Sequence, residues 1–502
     1  MSFIQAWHCQ NCSYDYVLED LLPEYLFSTN EPLLAEELLD LKDTLSTTST
    51  DLMWDIATVN MQLASLDEKR QVLCSRLAEM ELRLSTYKSI SSPLRRFPSE
   101  IITEIISWAT ATDDVTLDTR YGIWAFSRVC QRWREVALST SSFWSRIFID
   151  IDRRFTSEHK VNRLQECVNT ILSRTGNHAL SLRFAYDPEN GYARDAADSS
   201  IHLFVEHAPQ WREVSFTIPG ESFAFLRSVE GRISILQKLD LHFHSNLDGE
   251  CVEGRYFSYA PSLQKVSFCS DLVYPELIPL PWSQITEYKA SGIKGDALES
   301  LKLMPNLIFL TLEFPQKKEK LRPELKLKKL RKLKVLKGAH VVAVLTLPDL
   351  DELTICLSSS ELTAMIHLVE RSDCHIVTLT IEEHWEEGTP DLDILTAFLH
   401  VLPEVLVLDL SREETENIFN LLWLMVTAPE DHCLLPKLAE LILPPIDDCV
   451  ASDLHDIIIR LAHRRIPETL CAITNVVFVG EPQPLPVELS SLQRDGLRVS
   501  FT

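Results

Sequence analysis

A short apolar pattern recurs through the longer, C-terminal part of this chain and constrains its fold more than any other feature. Each copy reads apolar, two variable, apolar, one variable, apolar, and most copies begin some twenty to thirty residues apart. The copies begin at Trp211, Leu236, Leu263, Ile285, Leu307, Leu330, Leu350, Ile376, Val405 and Leu438. Alternating apolar residues are typical of a strand with one buried face. A unit this short cannot bury that face alone, so the units must stack on one another.

Repeats of this length and form resemble leucine-rich repeats, in which a short strand alternates with a return helix or loop. Stacking predicts a solenoid with a curved parallel sheet over residues 153–480, whose last strand, residues 476–479, precedes Gly480. We expect this solenoid to be irregular, because Asn or Cys seldom follows the strand and the unit lengths vary. The proline-rich residues 481–502 are expected to form a cap or tail. The alternative is an ordinary α/β domain whose strands share the pattern by coincidence.

An upstream pattern predicts one long, coiled-coil-like helix over residues 41–90. Its apolar residues follow alternating steps of three and four, which is heptad spacing. The seam positions are Ile56, Val59, Leu63, Leu66, Arg70, Leu73, Leu77, Met80, Leu84 and Tyr87. Arg70 in the seam would fix a register or oppose indefinite self-association. Two outcomes stay open: a homodimer through residues 52–87, or a helix that folds back on its own chain, for instance against residues 32–45.

Between this helix and the repeats, residues 91–152 predict a small helical hairpin. Its first part carries apolar residues at helical spacing, Ile101, Ile102, Ile105 and Ile106. A polar, acidic break and a second helical pattern follow. The segment holds four tryptophans, Trp108, Trp124, Trp133 and Trp144, which is more than so small a bundle easily buries. Either these side chains form a tight aromatic core, or a partner covers part of the surface.

The same segment carries a recognisable order of residues. It runs Leu94, Phe97-Pro98, Glu100-Ile101-Ile102 and Ile105, then Arg128-Val129-Cys130, Trp133-Arg134 and Phe143-Trp144. This order resembles the F-box, whose pattern is Leu-Pro before Glu-Ile/Leu-Leu, a Val-Cys core followed by Trp-Arg, and a terminal Leu-Trp. The long helix upstream and the Pro-Leu-Arg-Arg-Phe-Pro sequence are similar to those of F-box proteins in mushroom-forming fungi.

The resemblance implies a substrate-receptor subunit of an SCF-type cullin-RING E3 ubiquitin ligase. In such a complex the F-box, residues 91–152, binds a Skp-family adaptor and through it a cullin, and the repeats bind an unknown target protein. The docking residues so implied are Leu94, Phe97, Pro98, Ile101, Ile102, Ile105, Val129, Trp133 and Trp144, although Trp133 is also expected to hold the hairpin together. The alternative is a non-ligase scaffold whose hairpin packs on its own solenoid.

Basic residues crowd into residues 317–337 of an otherwise acidic chain. Strand alternation places Lys332 and Lys334 on the exposed side of the strand that begins near Leu330. These lysines are a candidate surface for an acidic or phosphorylated target segment. Charges simply solvated by water, or a nuclear-localisation-like patch, are the alternatives.

Composition excludes several classes of function. The formal net charge of −25 opposes binding to nucleic acid or anionic membranes. The chain has no apolar run long enough for a membrane span, and its start lacks the form of a signal peptide. Twelve scattered cysteines suit a reducing compartment, the cytoplasm or nucleus. In the N-terminal segment, residues 1–40, Cys9 and Cys12 form half of a zinc site, but no second pair follows, so we predict no metal.

We find no catalytic motif in the sequence. Glycine-rich phosphate loops, GxSxG and HExxH are absent. The acidic residues and histidine at positions 382–387 read as a solvated loop, because consecutive side chains at a strand end point in different directions. We therefore predict no catalytic residue and no cofactor, and a non-enzymatic adaptor rather than an enzyme. The predicted fold class is α/β: a long N-terminal helix, a small helical F-box and a leucine-rich-repeat-like solenoid.

Overall fold

The computed structural model of this chain describes residues 5–8, 15–18, 33–151, 158–186, 191–244, 255–269, 278–292, 297–313, 324–382, 391–413, 415–429, 433–445, 451–463, 473–480, 493 and 497–501. Contacts divide the chain into two compact units, Met1–Pro98 and Ser99–Thr502. Cys9 and Cys12 lie outside the described residues.

The first unit contains a small hairpin and the long helix. Strands β1 (Gln5–His8) and β2 (Asp15–Leu18) pair antiparallel. Helix α1 runs without interruption from Ala35 to Ser91, and a 3-10 turn at Pro93–Arg96 follows it. Neither glycine nor proline occurs within α1, so nothing breaks it. The predicted fold-back against residues 32–45 is wrong for residues 35–45, because these residues belong to the same continuous helix.

The second unit opens with short helices. Helix α2 (Ser99–Ala109) packs on α4 (Gln131–Ser139), and the single-turn α3 (Gly122–Phe126) lies between them in sequence. A 3-10 turn, Ser141–Trp144, ends this part. We call residues 99–144 the helical segment.

A sheet of fourteen strands follows within the described residues, and every neighbouring pair is parallel. Its strands are β3 (Arg146–Ile151), β4 (Leu180–Tyr186), β5 (Trp211–Ile218), β6 (Lys238–Phe243), β7 (Lys265–Cys269), β8 (Glu287–Ser291), β9 (Phe309–Glu313), β11 (Lys332–Lys337), β13 (Glu352–Cys356), β14 (Thr378–Glu382), β15 (Val407–Arg412), β16 (Glu440–Leu443), β17 (Asn475–Phe478) and β18 (Arg498–Phe501). Strands β10 (Leu325–Lys326) and β12 (Leu345–Thr346) form a separate parallel pair. The strands are arranged in chain order across the large sheet, as stacked repeats require.

The repeat pattern maps directly onto these strands. The first apolar residue of each copy precedes its strand or begins it, and the second and third point into the core. Leu239 in β6, for example, is fully buried and is in register with Val214 and Val266 on the two neighbouring strands. The α/β fold class and the leucine-rich-repeat-like solenoid are thus confirmed.

Return segments cover the buried face of the sheet. The helices are α5 (Glu158–Arg174), α6 (Gly191–Glu206), α7 (Ala297–Lys302), α8 (Ala339–Val342), α9 (Ser359–Ser372), α10 (Leu392–His400), α11 (Thr415–Thr427) and α12 (Ala451–His463). Other units return through 3-10 turns, such as Gly220–Val229 and Trp282–Gln284. This mixture of helices and 3-10 turns reflects the unequal repeat lengths and makes the solenoid irregular.

Three strands of the large sheet were not among those predicted from the sequence. Strands β3 and β4 alternate buried and more exposed residues and pair in register. Strand β18 lies within residues 481–502, where a cap or tail was expected, and it pairs with β17 along its whole length. Because β18 has only four residues, its sequence alone carries little strand signal.

Candidate partner-binding surfaces

Helix α2 has apolar side chains on two neighbouring faces. Ile102 and Ile106 are fully buried and pack into the helical segment. Ile101, Ile105 and Trp108 follow a second stripe at spacings of four and three residues, and they face away from that core. Ile101 is 46% exposed and Trp108 is 76% exposed, while Ile105 is half-buried. We call Ile101, Ile105 and Trp108 the outer stripe.

An outer stripe of this kind is unusual for a surface helix, which normally turns polar residues to water. Trp108 contributes the most exposed apolar side chain among the described residues of the second unit, and its indole Nε1 donates to Glu104 Oε1 at 2.7 Å. The hydrogen bond lies along the helix surface and leaves the ring face uncovered. Trp108 was not among the predicted docking residues, although its spacing from Ile101 was visible in the sequence.

Three of the predicted docking residues lie in the core instead. Ile102 and Trp144 are completely buried and Trp133 is 7% exposed. The indole Nε1 of Trp144 donates to the Ala137 carbonyl at 2.8 Å, and its ring meets that of Trp124 edge-on at 4.8 Å. These side chains hold the helices together, and a part for them in docking stays a prediction.

Val129 and Cys130 lie in the turn before α4, and both are exposed. Cys130 is the last residue of the turn before α4, and its side chain is exposed rather than packed within the helical segment. Val129 is 58% exposed and offers a second apolar contact on this part of the chain.

The remaining predicted docking residues belong to the first unit. Leu94 is 48% exposed on the 3-10 turn, Phe97 is half-buried and Pro98 is exposed. Their role in docking stays a prediction.

The helical segment continues directly into the sheet. Val115, in the polar break between α2 and α3, forms a parallel bridge with Ile147 on the edge strand β3. Its N–H donates to the Arg146 carbonyl at 2.8 Å, and its carbonyl accepts from the Phe148 N–H at 3.0 Å. The break therefore covers the edge of the sheet, which would otherwise present unpaired backbone groups. One rigid connection thus joins the helical segment to the first repeats.

The side of the sheet opposite the return segments carries polar residues, and we call it the open face. Its side chains are the alternate residues of each strand that do not enter the core. Opposite charges face each other across neighbouring strands: Lys265 pairs with Glu287 at 2.6 Å, and Lys289 with Glu313 at 3.7 Å. Many charges on this face are therefore matched within the chain.

Lys332 and Lys334 lie on the open face as the alternation predicted. Lys332 Nζ is 2.6 Å from Glu352 Oε2, and Lys334 Nζ is 2.5 Å from Glu382 Oε2. Arg412 also contacts Glu382, at 2.8 Å. Lys332 is about half exposed, whereas the Lys334 side chain is only 23% exposed. Any acidic target segment at this position would have to compete with these glutamates, which the local sequence did not reveal.

A groove of about 440 Å³ opens on the first strands of the open face. The carboxylate of Asp114, 11% exposed, accepts from both Arg146 and Arg183. Burial raises the pKa of Asp240, against the opposing effect of Lys238 at 3.2 Å. The carboxylates of Asp114 and Asp240 thus lie deeper than the cations they pair with, and Arg183, 60% exposed, is the cation most accessible from outside.

The described residues contain no group of three or more His, Cys, Asp or Glu side chains placed to hold a metal ion. None of the helices described combines the length and the apolar character that a membrane crossing requires.

Comparison with known proteins gives one match on the helical segment. Residues 94–150 match the family model described as F-box-like. No curated protein matches the chain. Among solved structures, the crystal structure of the APL1 leucine-rich repeat domain is similar at 12% identity with a TM-score of 0.21, covering 67% of this chain and 74% of that one.

Proposed function

We propose that this chain is the substrate-receptor subunit of an SCF-type cullin-RING E3 ubiquitin ligase. The observation that carries the proposal is the outer stripe on α2, within residues that match the F-box-like family. A water-facing stripe with an isoleucine and a tryptophan this exposed is the form of surface that a partner completes. The partner is a Skp-family adaptor, which connects the chain to a cullin.

Two details refine the adaptor contact. The outer stripe and Val129 provide its apolar centre on the second unit. For Leu94, Phe97 and Pro98, a docking role is what the F-box resemblance implies. Within F-box proteins, the residues at 93–98 and the long upstream helix favour the group found in mushroom-forming fungi. We place the complex in the cytoplasm, the nucleus or both.

The open face of the sheet is the surface for the target protein. Its side chains vary from repeat to repeat on a regular backbone, which suits recognition of another polypeptide. Lys332 and the groove that displays Arg183 are the positions where an acidic segment of the target would bind. Arg183 reaches solvent while its partner Asp114 lies deeper, and at Lys332 the segment would compete with Glu352, which is about equally exposed. The identity of the target does not follow from these features.

In this mechanism the chain is not an enzyme. It raises the effective concentration of a target lysine near a ubiquitin-charged enzyme held elsewhere in the complex. The bridge between Val115 and Ile147 matters for this role, because it gives the helical segment and the first repeats a fixed relative position. A loosely tethered target would spend less time within reach of the ubiquitin donor.

Reconstitution tests the proposal directly. The full chain is mixed with a fungal Skp-type adaptor, a cullin and its RING subunit, and the mixture is analysed by size-exclusion chromatography. We expect the chain to migrate with the adaptor and, through the adaptor, with the cullin. A chain that migrates alone, with the adaptor–cullin complex intact, would contradict the proposal and favour a scaffold without a ligase role.

A further inference from the structure

Helix α1 carries a long row of exposed apolar side chains. The seam residues named above, Arg70 apart, are all apolar, and each is 53–67% exposed. Because α1 runs unbroken through all of them, they form one continuous stripe at heptad spacing. Apolar residues at this spacing are stable in water only when a second helix covers them.

We propose that a second copy of this chain covers the stripe, in a parallel two-stranded coiled coil through residues 52–87. The inference rests on α1 alone and does not depend on the proposed ligase function. The heptad positions follow from the seam: Ile56, Leu63, Arg70, Leu77 and Leu84 at a, and Val59, Leu66, Leu73, Met80 and Tyr87 at d.

The flanking charges select the parallel orientation. In a parallel pair, each g residue faces the e residue of the following heptad on the partner helix. Arg76 at g then faces Glu81 at e, with opposite charge, and Gln62 faces Asp67. Within the described part of the chain neither Arg76 nor Glu81 takes part in an ion pair, so both are available to the second copy.

An antiparallel pair brings g residues of the two helices together instead. The g positions are Asp55, Gln62, Lys69, Arg76 and Arg83, so antiparallel registers centred on Lys69 or on Arg76 bring cations against cations. The parallel arrangement has one like-charged contact of its own, Arg83 against Lys88. Arg83 already contacts Glu79 of its own helix at 2.5 Å, which reduces that repulsion.

Arg70 favours a dimer over larger oligomers of this coiled coil. Its Nε lies 3.1 Å from Asp67 of the same helix, so its charge is partly neutralised at the edge of the seam. In the parallel pair the two Arg70 side chains meet at one layer, where they lower stability and oppose larger bundles with fully apolar cores. A dimer therefore fits the sequence better than a trimer or tetramer.

Sedimentation of the full chain tests the inference, with charge variants as probes. We expect a species of twice the 57.4 kDa chain mass at low micromolar concentration. Arg76→Glu should weaken the dimer about tenfold, and Arg76→Glu combined with Glu81→Arg should restore it. Glu68→Arg, at the outward f position, is the matched control and should leave the dimer unchanged. A wild-type chain that stays monomeric at about 50 µM would overturn the inference.

Crosslinking tests the orientation separately. In a Cys74→Ser background, Leu73→Cys places one thiol per chain at a d position, where a parallel, in-register pair brings the two thiols together. We expect rapid disulfide formation on mild oxidation, and slow formation for a cysteine placed at Glu68 instead. A dimer in which Leu73→Cys fails to crosslink would overturn the parallel register. Each outcome is independent of whether a Skp-type adaptor binds the F-box-like residues.

Discussion

The guanidinium carbon of Arg174 lies 4.4 Å from the ring centre of Trp144 and 5.2 Å from that of Trp124. Arg174 ends α5, the first return helix of the repeats, and the two tryptophans belong to the helical segment. Burial lowers the pKa of Arg174, but the guanidinium still carries its charge at neutral pH. Together with the Val115–Ile147 bridge, this cation–π contact fixes the helical segment on the first repeat.

We predict that Arg174→Met loosens this junction without unfolding the repeats. The substitution keeps an unbranched side chain over the rings but removes the cation. Loss of a partly buried cation–π contact should destabilise the junction by about 1–2 kcal/mol. Hydrogen exchange should become faster at residues 111–117 and in α4, while strands β7 to β15 stay protected. Arg163→Met, an exposed position on the same helix, is the control. Unchanged exchange in the helical segment of Arg174→Met would show that the contact does not hold the junction.

Trp144 should be a strong determinant of stability rather than of docking. Replacing it with alanine removes a fully buried indole and its hydrogen bond to Ala137. We expect the free energy of unfolding to fall by about 3–5 kcal/mol. Trp144→Phe keeps the ring and should lose much less. Urea denaturation followed by tryptophan fluorescence measures both. If Trp144→Ala and the wild type have the same midpoint of urea denaturation, that result would contradict the burial of the Trp144 side chain.

The cysteines should differ widely in reactivity. Burial raises the pKa of Cys356 to about 12 and that of Cys374 to about 11, so both thiols should stay protonated and inaccessible. Among the cysteines that the structure describes, Cys74 and Cys130 are exposed and should react first with iodoacetamide, as measured by peptide mass spectrometry. Adding a Skp-type adaptor should slow the labelling of Cys130, which neighbours Val129, and leave Cys74 unaffected. Equal labelling of Cys130 with and without adaptor would exclude this turn from the contact.

The raised pKa of Asp240 predicts in which direction the free energy of unfolding changes with pH. Because burial raises its pKa in the folded chain, the folded state binds a proton more tightly there than the unfolded state does. This carboxyl therefore favours folding most below its unfolded pKa of about 3.9, and the benefit is lost as pH rises through the raised folded pKa. The unfolding free energy of wild type relative to Asp240→Asn should fall as pH increases across that window. A relative stability that rises with pH would contradict the raised pKa.

Sequence patterns predicted the fold well because its determinants are local. Leu310 and Leu312, for example, define a strand and its buried face within a few residues, and stacking follows from the repetition. The long helix also followed from spacing alone. Contacts between distant residues could not be predicted in this way. The glutamates that pair with Lys332 and Lys334 come from β13 and β14, and Val115 meets Ile147 only once the sheet has formed.

The candidate docking surface also combines features that the local sequence predicts with features that only tertiary packing decides. The sequence placed isoleucines at helical spacing in α2, but it could not decide which of them face the core, because the helix is apolar on two sides. Only packing against α4 separates Ile102 and Ile106 from Ile101 and Ile105. For the same reason, Trp108 was not among the predicted docking residues. In the structure it is the most exposed member of the outer stripe.

The affinity of the full chain for a fungal Skp-type adaptor, measured by calorimetry for wild type and for Ile101→Asp, tests the outer stripe most directly. Leu303→Asp, a comparably exposed apolar position on the repeats, is the matched control, and thermal unfolding checks that both variants fold. We predict tight binding for wild type and Leu303→Asp, and binding at least about tenfold weaker for Ile101→Asp, because a charge would be buried in the apolar contact. Wild-type affinity in a folded Ile101→Asp chain, or no adaptor binding by the wild type, would contradict the account.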